Sequence, residues 1–330
     1  MRVVVPAAWA SASIVIRSGS CTSTPNDVTF SCEGLGPMLD LPRLLEKSER
    51  LQWSVDDVDW EAPGAERVSD DQARSLAGFM GDLYWIESTA AVVFDAMAQR
   101  DDDPVRKGLF RSFAIDEARH AEAERLLMVR WGILGRRQRP VPNANVKHLI
   151  ETLEDHATEV HPSVFSAVIP MTELVLDGAL VKYLVQAVDD PVCHRVFDGI
   201  NADEARHLAM DFHMLEHYGR AQSKLANTLD LVKSIVRPAG LYATFFGYFP
   251  MLARSRGSLE KIGLDMDDAA RAMRRYVELG EKNPDIAKHP TYRILASYVD
   301  NVTTGRSRIG DVLVRISDIV DGVRAGRSAN

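Results

Sequence analysis

The chain has 330 residues, of which 46% are hydrophobic and 26% are charged, so it is long enough to bury one large core with an added lobe. Its formal net charge of −8 argues against a nucleic-acid partner, which usually requires a basic face. Its three cysteines have no zinc-type spacing and fit a reducing compartment. Since no apolar run is long enough to span a bilayer, we predict a cytoplasmic protein without a transmembrane segment.

The first 60 residues predict a poorly ordered or irregular N-terminal arm. Residues 3–16 are apolar and follow Arg2, as in a weak signal peptide, but Pro6 and polar residues interrupt the run. Residues 18–37 are rich in Ser, Thr, Gly and Pro, which is typical of a loop. The sequence leaves the role of residues 1–60 open.

Helical periodicity begins after residue 60, and we find no period-2 runs bounded by hairpin turns. Ser69 precedes two aspartates and is predicted to begin a helix that ends near Gln99. Asp103 followed by Pro104 predicts the next helix, over 104–132, because proline suits the first helical position.

Three more helices are predicted over 145–157, 162–188 and 191–219, the last ending at a glycine. Four of the helices are long, which is typical of a helical bundle. The sequence therefore predicts an all-α protein with a four-helix bundle over 61–219. Residues 220–330 are predicted to form an additional C-terminal helical lobe that packs on this bundle.

An internal repeat is the most informative feature of the sequence. Residues 102–132 align without gaps on residues 189–219, an offset of 87, and eleven of the 31 positions are identical. Both copies begin Asp-Asp-Pro-Val, and both contain Asp-Glu-Ala-Arg-His, at 116–120 and 203–207. The repeat predicts two copies of one helix pair.

Each copy of the repeated motif places a glutamate and a histidine three residues apart, on one face of a helix. A further glutamate with apolar neighbours precedes each motif by about 30 residues, on the preceding long helix. Antiparallel helices with short connections bring such positions to one level of a bundle. This oxygen-rich set is the one that binds two iron or manganese ions in carboxylate bundles. The six predicted metal ligands are Glu87, Glu117, His120, Glu173, Glu204 and His207.

Charged residues beside these ligands predict a supporting layer. A metal-bound histidine usually donates its other N–H group to a carboxylate or carbonyl oxygen. We assign Asp116 and Asp203 to this role and predict that Arg119 and Arg206 pair with them. One such motif on its own would usually be a solvated helix face, and a helical interaction protein that binds no metal is the corresponding alternative.

The motif resembles the di-iron oxygenase branch of the ferritin-like superfamily. Its Asp-Glu-x-Arg-His form is similar to the hydroxylase subunits of bacterial multicomponent monooxygenases, and the doubled motif is similar to the p-aminobenzoate N-oxygenase family. Acyl-carrier-protein desaturases and ribonucleotide reductase small subunits are more distant. The resemblance covers about residues 69–219. N-oxygenases of this type can carry an extra histidine four residues before the second motif's glutamate, where this chain has Ile200.

The resemblance implies a ferritin-like fold and an O2-activating non-haem di-iron oxidoreductase, a monooxygenase acting on a small or medium organic substrate. Hydroxylation and N-oxygenation both fit, and acyl-chain desaturation is an alternative. Iron oxidation or peroxide scavenging without an organic substrate is another. The expected cofactors are two Fe ions, or one Mn and one Fe, with O2 as co-substrate. Because no nucleotide-binding fingerprint is present, a separate reductase or ferredoxin is expected to supply electrons.

Helical spacing also predicts which residues line a substrate pocket. Apolar residues about one turn from the ligands point towards the same side of their helices. The candidates are Ala90, Ala91, Phe113 and Leu176. The sequence does not identify the substrate, the electron donor or the oligomeric state, and a homodimer is left open.

Overall fold

A computed structural model describes residues 39–142, 144–175, 181–221 and 266–304, and in these ranges the chain forms helices and no β-strand. The predicted all-α class is therefore confirmed. The helices are α1 (Leu41–Arg50), α2 (Asp70–Arg100), α3 (Pro104–Arg130), α4 (Ala144–His156), α5 (Pro162–Val175), α6 (Lys182–Ala187), α7 (Pro191–Ala221), α8 (Met266–Lys282) and α9 (Pro290–Thr304). None of these described helices has the length and apolar character needed to cross a membrane.

The arm that the sequence predicts to be irregular contains a ten-residue helix, α1, within its described part. The Asp40 carboxylate caps this helix by accepting a hydrogen bond from the backbone N–H of Arg43 at 3.1 Å. Helix α1 packs on α3, where Leu45 lies against Gly108. An added Cβ on Gly108 would lie 2.9 Å from a Leu45 methyl group, so the glycine permits this close approach.

The two long helices of the first pair begin where the capping residues predict. The Ser69 hydroxyl accepts from the N–H of Gln72 at 3.2 Å, and the Asp103 carboxylate accepts from the N–H of Val105 and Arg106 at 3.0 and 2.9 Å. Helix α3 ends just before Gly132, whose φ of +70° is the left-handed conformation typical of a helix terminus. Local sequence thus determines these boundaries.

Helix α2 packs along α3, and α5 packs along α7, while contacts of α3 with α7 and of α2 with α5 join the two pairs. Two apolar clusters fill the interior. On α3, Phe110 and Phe113 belong to one cluster and Ala123 and Leu127 to the other. The repeated motif lies between them, so a polar layer separates two apolar regions of the core.

The described part of the C-terminal lobe, α8 and α9, packs on α5 and joins α7 through its connecting turn. The Tyr276 hydroxyl donates to the carbonyl oxygen of Ala167 at 2.8 Å, and the Tyr292 hydroxyl donates to the carbonyl oxygen of Tyr276 at 2.8 Å. These two buried hydroxyls join the two helices to each other and to the bundle.

Gly219, predicted to end the fourth long helix, lies inside α7, which continues to Ala221. The glycine allows the backbone of α7 to approach the turn between α8 and α9, because an added Cβ would overlap the backbone carbonyl of Asp285 in that turn. The neighbouring Arg220 guanidinium pairs with the Asp285 carboxylate at 2.9 Å. Contact with the lobe therefore explains the glycine.

Gly219→Ala is expected to lower the free energy of unfolding by about 2 kcal/mol or more, because backbone rather than a flexible side chain occupies the space. The control is Gly78→Ala in α2, where an added Cβ meets no atom within 4 Å and alanine favours the helix by roughly 1 kcal/mol. Denaturant unfolding measures both variants. A stabilised Gly219→Ala variant would contradict the contact with Asp285.

Candidate metal centre

The six residues predicted as metal ligands meet in the polar layer of the bundle. Each is buried, with an exposed fraction between 0% and 6%. Glu87 lies on α2, Glu173 on α5, and α3 and α7 each contribute one glutamate and one histidine. The sequence spacing therefore brought together side chains from four helices.

The ligand atoms form two groups that share members, and within each group they lie within 4.8 Å of one another. One group is Glu87, Glu117, His120 and Glu204, and the other is Glu117, Glu173, Glu204 and His207. Glu117 and Glu204 belong to both. Two cations held by these groups would share both carboxylates, and each would also have one terminal glutamate and one imidazole.

The imidazole rings point their Nδ1 atoms at these carboxylates. His120 Nδ1 lies 3.1 Å from Glu204 Oε1, and His207 Nδ1 lies 3.0 Å from Glu117 Oε1. Neither His120 Nδ1 nor the two carboxylate oxygens of Glu173 have a hydrogen-bond partner among the described residues. Buried polar atoms without partners are costly, and a cation would coordinate all of them. The residues present therefore fit a di-metal centre.

Each histidine is oriented by an aspartate of the other copy of the motif. His120 Nε2 lies 3.0 Å from Asp203 Oδ2, and His207 Nε2 lies 3.2 Å from Asp116 Oδ2. Because a carboxylate only accepts hydrogen bonds, Nε2 carries a proton, and Nδ1 is the ring atom that a metal ion would bind in place of a proton. The crossed pairing also shows that α3 and α7 run antiparallel here, since 116 faces 207 and 120 faces 203.

The two arginines of the motif neutralise these aspartates. Arg119 lies 2.8 Å from Asp203 Oδ2 and also pairs with Asp116, while Arg206 pairs with Asp203. Burial opposes ionisation of both aspartates, but the hydrogen bonds from the histidines and the arginine charges outweigh it and lower both pKa values. The structure thus places Asp116, Arg119, Asp203 and Arg206 in one ionised network beside the ligands.

The glutamates give the centre a strong affinity for positive charge. Burial and the neighbouring carboxylates raise the pKa values of Glu117 and Glu173 well above the usual range. Burial lowers the pKa of each histidine, but the surrounding carboxylates outweigh it and raise both pKa values. Protons and metal cations would therefore compete for the same site.

Two side chains from the N-terminal segment complete this network, and no sequence signal indicated them. Gln52 Nε2 donates to Asp116 Oδ1 at 2.7 Å, and Trp53 Nε1 donates to Asp203 Oδ2 at 2.8 Å. The Arg119 guanidinium also lies over the Trp53 ring, 4.9 Å from its centre. The segment that follows α1 therefore helps to hold both aspartates in place.

Two further buried acids, Glu124 and Asp211, were missed in the sequence although the repeat marks them. They occupy one position of the two copies, because 124 plus the offset of 87 equals 211. Both are completely buried. Burial and neighbouring carboxylates raise the pKa of Glu124 well above its usual value, and burial raises the pKa of Asp211 to about 7.

The raised pKa of Asp211 predicts how the metal-free protein responds to pH. The pKa of this carboxyl group is about 3.9 in the unfolded chain and about 7 in the folded protein. Between these two pH values the folded state binds a proton that the unfolded state has lost. The free energy of unfolding should therefore fall as pH rises through this range. Asp211→Asn should reduce that fall, measured by denaturant unfolding in a chelator. An unchanged pH dependence would contradict the assignment.

The structure locates three of the four residues predicted to line a substrate pocket. Phe113 is fully buried, and its ring centre lies 4.2 Å from that of His207. Ala90 and Ala91 are half-buried on α2, about one turn beyond Glu87. Leu176 lies outside the described residues. A pocket formed by this set stays a prediction.

Comparison with known proteins identifies no relative of the chain. The chain matches none of the family models, none of the curated proteins and none of the solved structures with which it was compared. The interpretation of the centre therefore depends on the geometry of its own residues.

Proposed function

We propose that the chain is a ferritin-like di-iron oxidoreductase that uses O2 to hydroxylate or N-oxygenate a small or medium organic substrate. The observation that carries the proposal is the pair of buried ligand groups sharing Glu117 and Glu204. Carboxylate oxygens with one imidazole per position suit iron or manganese better than zinc. When bound, two iron ions would supply the reducing electrons and the coordination positions needed to activate O2.

The protein residues have distinct roles in this proposal. Glu117 and Glu204 would contribute to both cation positions, and Glu87 and Glu173 would each contribute to one of them. Asp203 and Asp116 keep His120 and His207 in the tautomer whose Nδ1 can coordinate. The surrounding ion pairs let the chain hold these charges away from water, in a part of the core bounded by apolar side chains.

Two phenylalanine rings form an apolar wall beside His207, and this wall favours an organic substrate over a site that is open to water. The Phe94 and Phe113 rings lie 5.5 Å apart, and each packs against the His207 ring. Both phenylalanines are fully buried. Such a wall would exclude water and favour a substrate with an apolar part next to the reacting position. Electrons would come from a separate reductase or ferredoxin.

The test is elemental analysis of iron-reconstituted protein, followed by O2 consumption after chemical reduction. We expect about two irons per chain and, with candidate substrates, a product that has gained oxygen. A product that has only lost two hydrogens would instead favour a desaturase. Continued iron uptake beyond two ions by a large cage-like oligomer, seen by light scattering, would favour iron oxidation and storage. Folded protein without iron or manganese would overturn the metal centre itself.

A further inference from the structure

Glu124 and Asp211 are two buried carboxylates to which the proposed ligand set gives no role. Each follows the shared glutamate of its helix by seven residues and the histidine by four, so all three side chains lie on one face of that helix. The repeat places an acid at this position in both copies, as Glu in α3 and as Asp in α7. We call Glu124 and Asp211 the outer carboxylates.

The outer carboxylates lie at opposite ends of the centre. Because α3 and α7 run antiparallel, Glu124 lies beyond the group that contains His120, and Asp211 lies beyond the group that contains His207. Among the neighbouring carboxylates, Glu87 raises the pKa of Glu124 most. Asp211 is the carboxylate that raises the pKa of Glu173 most. Each outer carboxylate therefore lies beside the terminal glutamate of its own half.

The outer carboxylates form no hydrogen bond with the described residues around them. All four of their oxygen atoms lack a hydrogen-bond donor within the part of the chain that the structure describes. Their helix neighbours Ala123, Leu127, Met210 and Met214 belong to the two apolar clusters. Asp116 and Asp203, equally buried, are in contrast paired with arginines. A wholly buried acid beside another carboxylate keeps its proton unless a cation balances its charge.

We propose that the outer carboxylates are metal ligands: Glu124 binds the cation held by Glu87 and His120, and Asp211 binds the cation held by Glu173 and His207. The proposal rests on the di-metal centre inferred above and extends it from six protein ligands to eight. Each outer carboxylate lies outside the two groups whose ligand atoms are within 4.8 Å of one another, so its side chain would have to turn towards the cation that it binds. No change in the number of bound ions follows.

The experiment titrates metal-free protein with Mn²⁺ alone, followed by calorimetry and by the electron paramagnetic resonance signal of the free ion. The variants are Glu124→Gln and Asp211→Asn, which keep the shape of the side chain and remove its charge. Matched controls on the same helices are Glu122→Gln, whose side chain is partly exposed and pairs with Arg125, and Asp198→Asn, which is exposed. Thermal melting of the metal-free variants checks the fold.

We expect wild type and controls to bind about two Mn²⁺ per chain, and each outer variant to bind one of the two ions about tenfold or more weakly. The metal-free variants should melt near the wild-type temperature, because burial beside other carboxylates already favours the neutral acid when no metal is bound. If the outer carboxylates had only a structural role, the variants would melt at a lower temperature and bind Mn²⁺ with unchanged affinity.

Wild-type affinity at both positions in both variants would overturn the proposal while the di-metal centre stands. Wild-type protein that binds no Mn²⁺ or iron would overturn both.

Discussion

The double variant Glu117→Gln/Glu204→Gln is expected to lower bound iron from about two ions per chain to less than about 0.2. Both glutamates belong to both ligand groups, so their loss removes two carboxylates from each cation position at once. A neutral amide neither bridges two cations nor balances their charge as a carboxylate does. Elemental analysis of reconstituted protein, together with loss of the optical absorption of oxidised iron, measures the effect.

Glu117→Gln relieves repulsion among buried carboxylates that raises the pKa of Glu117, whereas Glu204→Gln removes a charge that faces both histidines. Circular dichroism of the metal-free double variant therefore checks that the fold is retained. The control is Glu122→Gln/Asp198→Asn, which removes a partly exposed and an exposed carboxylate from the same helices and should retain both irons. Retention of both irons by the Glu117/Glu204 double variant would refute the sharing of these ligands.

Asp190→Ala is expected to lower the free energy of unfolding by about 3–5 kcal/mol. The fully buried Asp190 carboxylate pairs with Arg130 at 2.8 Å and accepts from the indole N–H of Trp131 at 2.9 Å. It also accepts from the backbone N–H of Val192 at 3.0 Å, which caps α7. Alanine would leave the Arg130 guanidinium buried without its counterion and α7 without its cap.

Asp189→Ala is the matched control, one residue away. Its carboxylate is 76% exposed and pairs with Arg67 at 3.3 Å, so its loss should change stability by no more than about 1 kcal/mol. Denaturant unfolding of metal-free protein compares the two variants without a contribution from bound ions. Equal effects of the two substitutions would contradict the role of Asp190 in joining the end of α3 to the start of α7.

The helices and the ligand set could be predicted from the sequence because short sequence patterns mark each of them. Capping residues mark the starts of α2 and α3, and proline after aspartate marks α3 and α7. The repeat shows that residues 87 apart occupy equivalent positions, which a single motif cannot show. A comparison of every polar position in the repeat, rather than of the identical ones alone, would also have found Glu124 and Asp211.

The remaining features depend on tertiary contacts that leave no local pattern. Gln52 and Trp53 reach Asp116 and Asp203 across 64 and 150 residues of sequence. Gly219 has the local appearance of a helix end, yet the approach of Asp285 accounts for it. Spacing places an aspartate near a histidine, but only the antiparallel packing of α3 on α7 decides that the two come from different copies.

The crossed aspartate–histidine pairs bear on how such a centre could arise. Neither half of the repeat contains a complete cation position, because each group takes one shared glutamate from the other half and each histidine is oriented by the other half's aspartate. A helix hairpin corresponding to one half would need a second identical copy, related by a two-fold axis, to build the same centre. Because the sequence is duplicated, one chain contains both hairpins, which would otherwise have to associate as separate copies. The two hairpins can then differ in sequence.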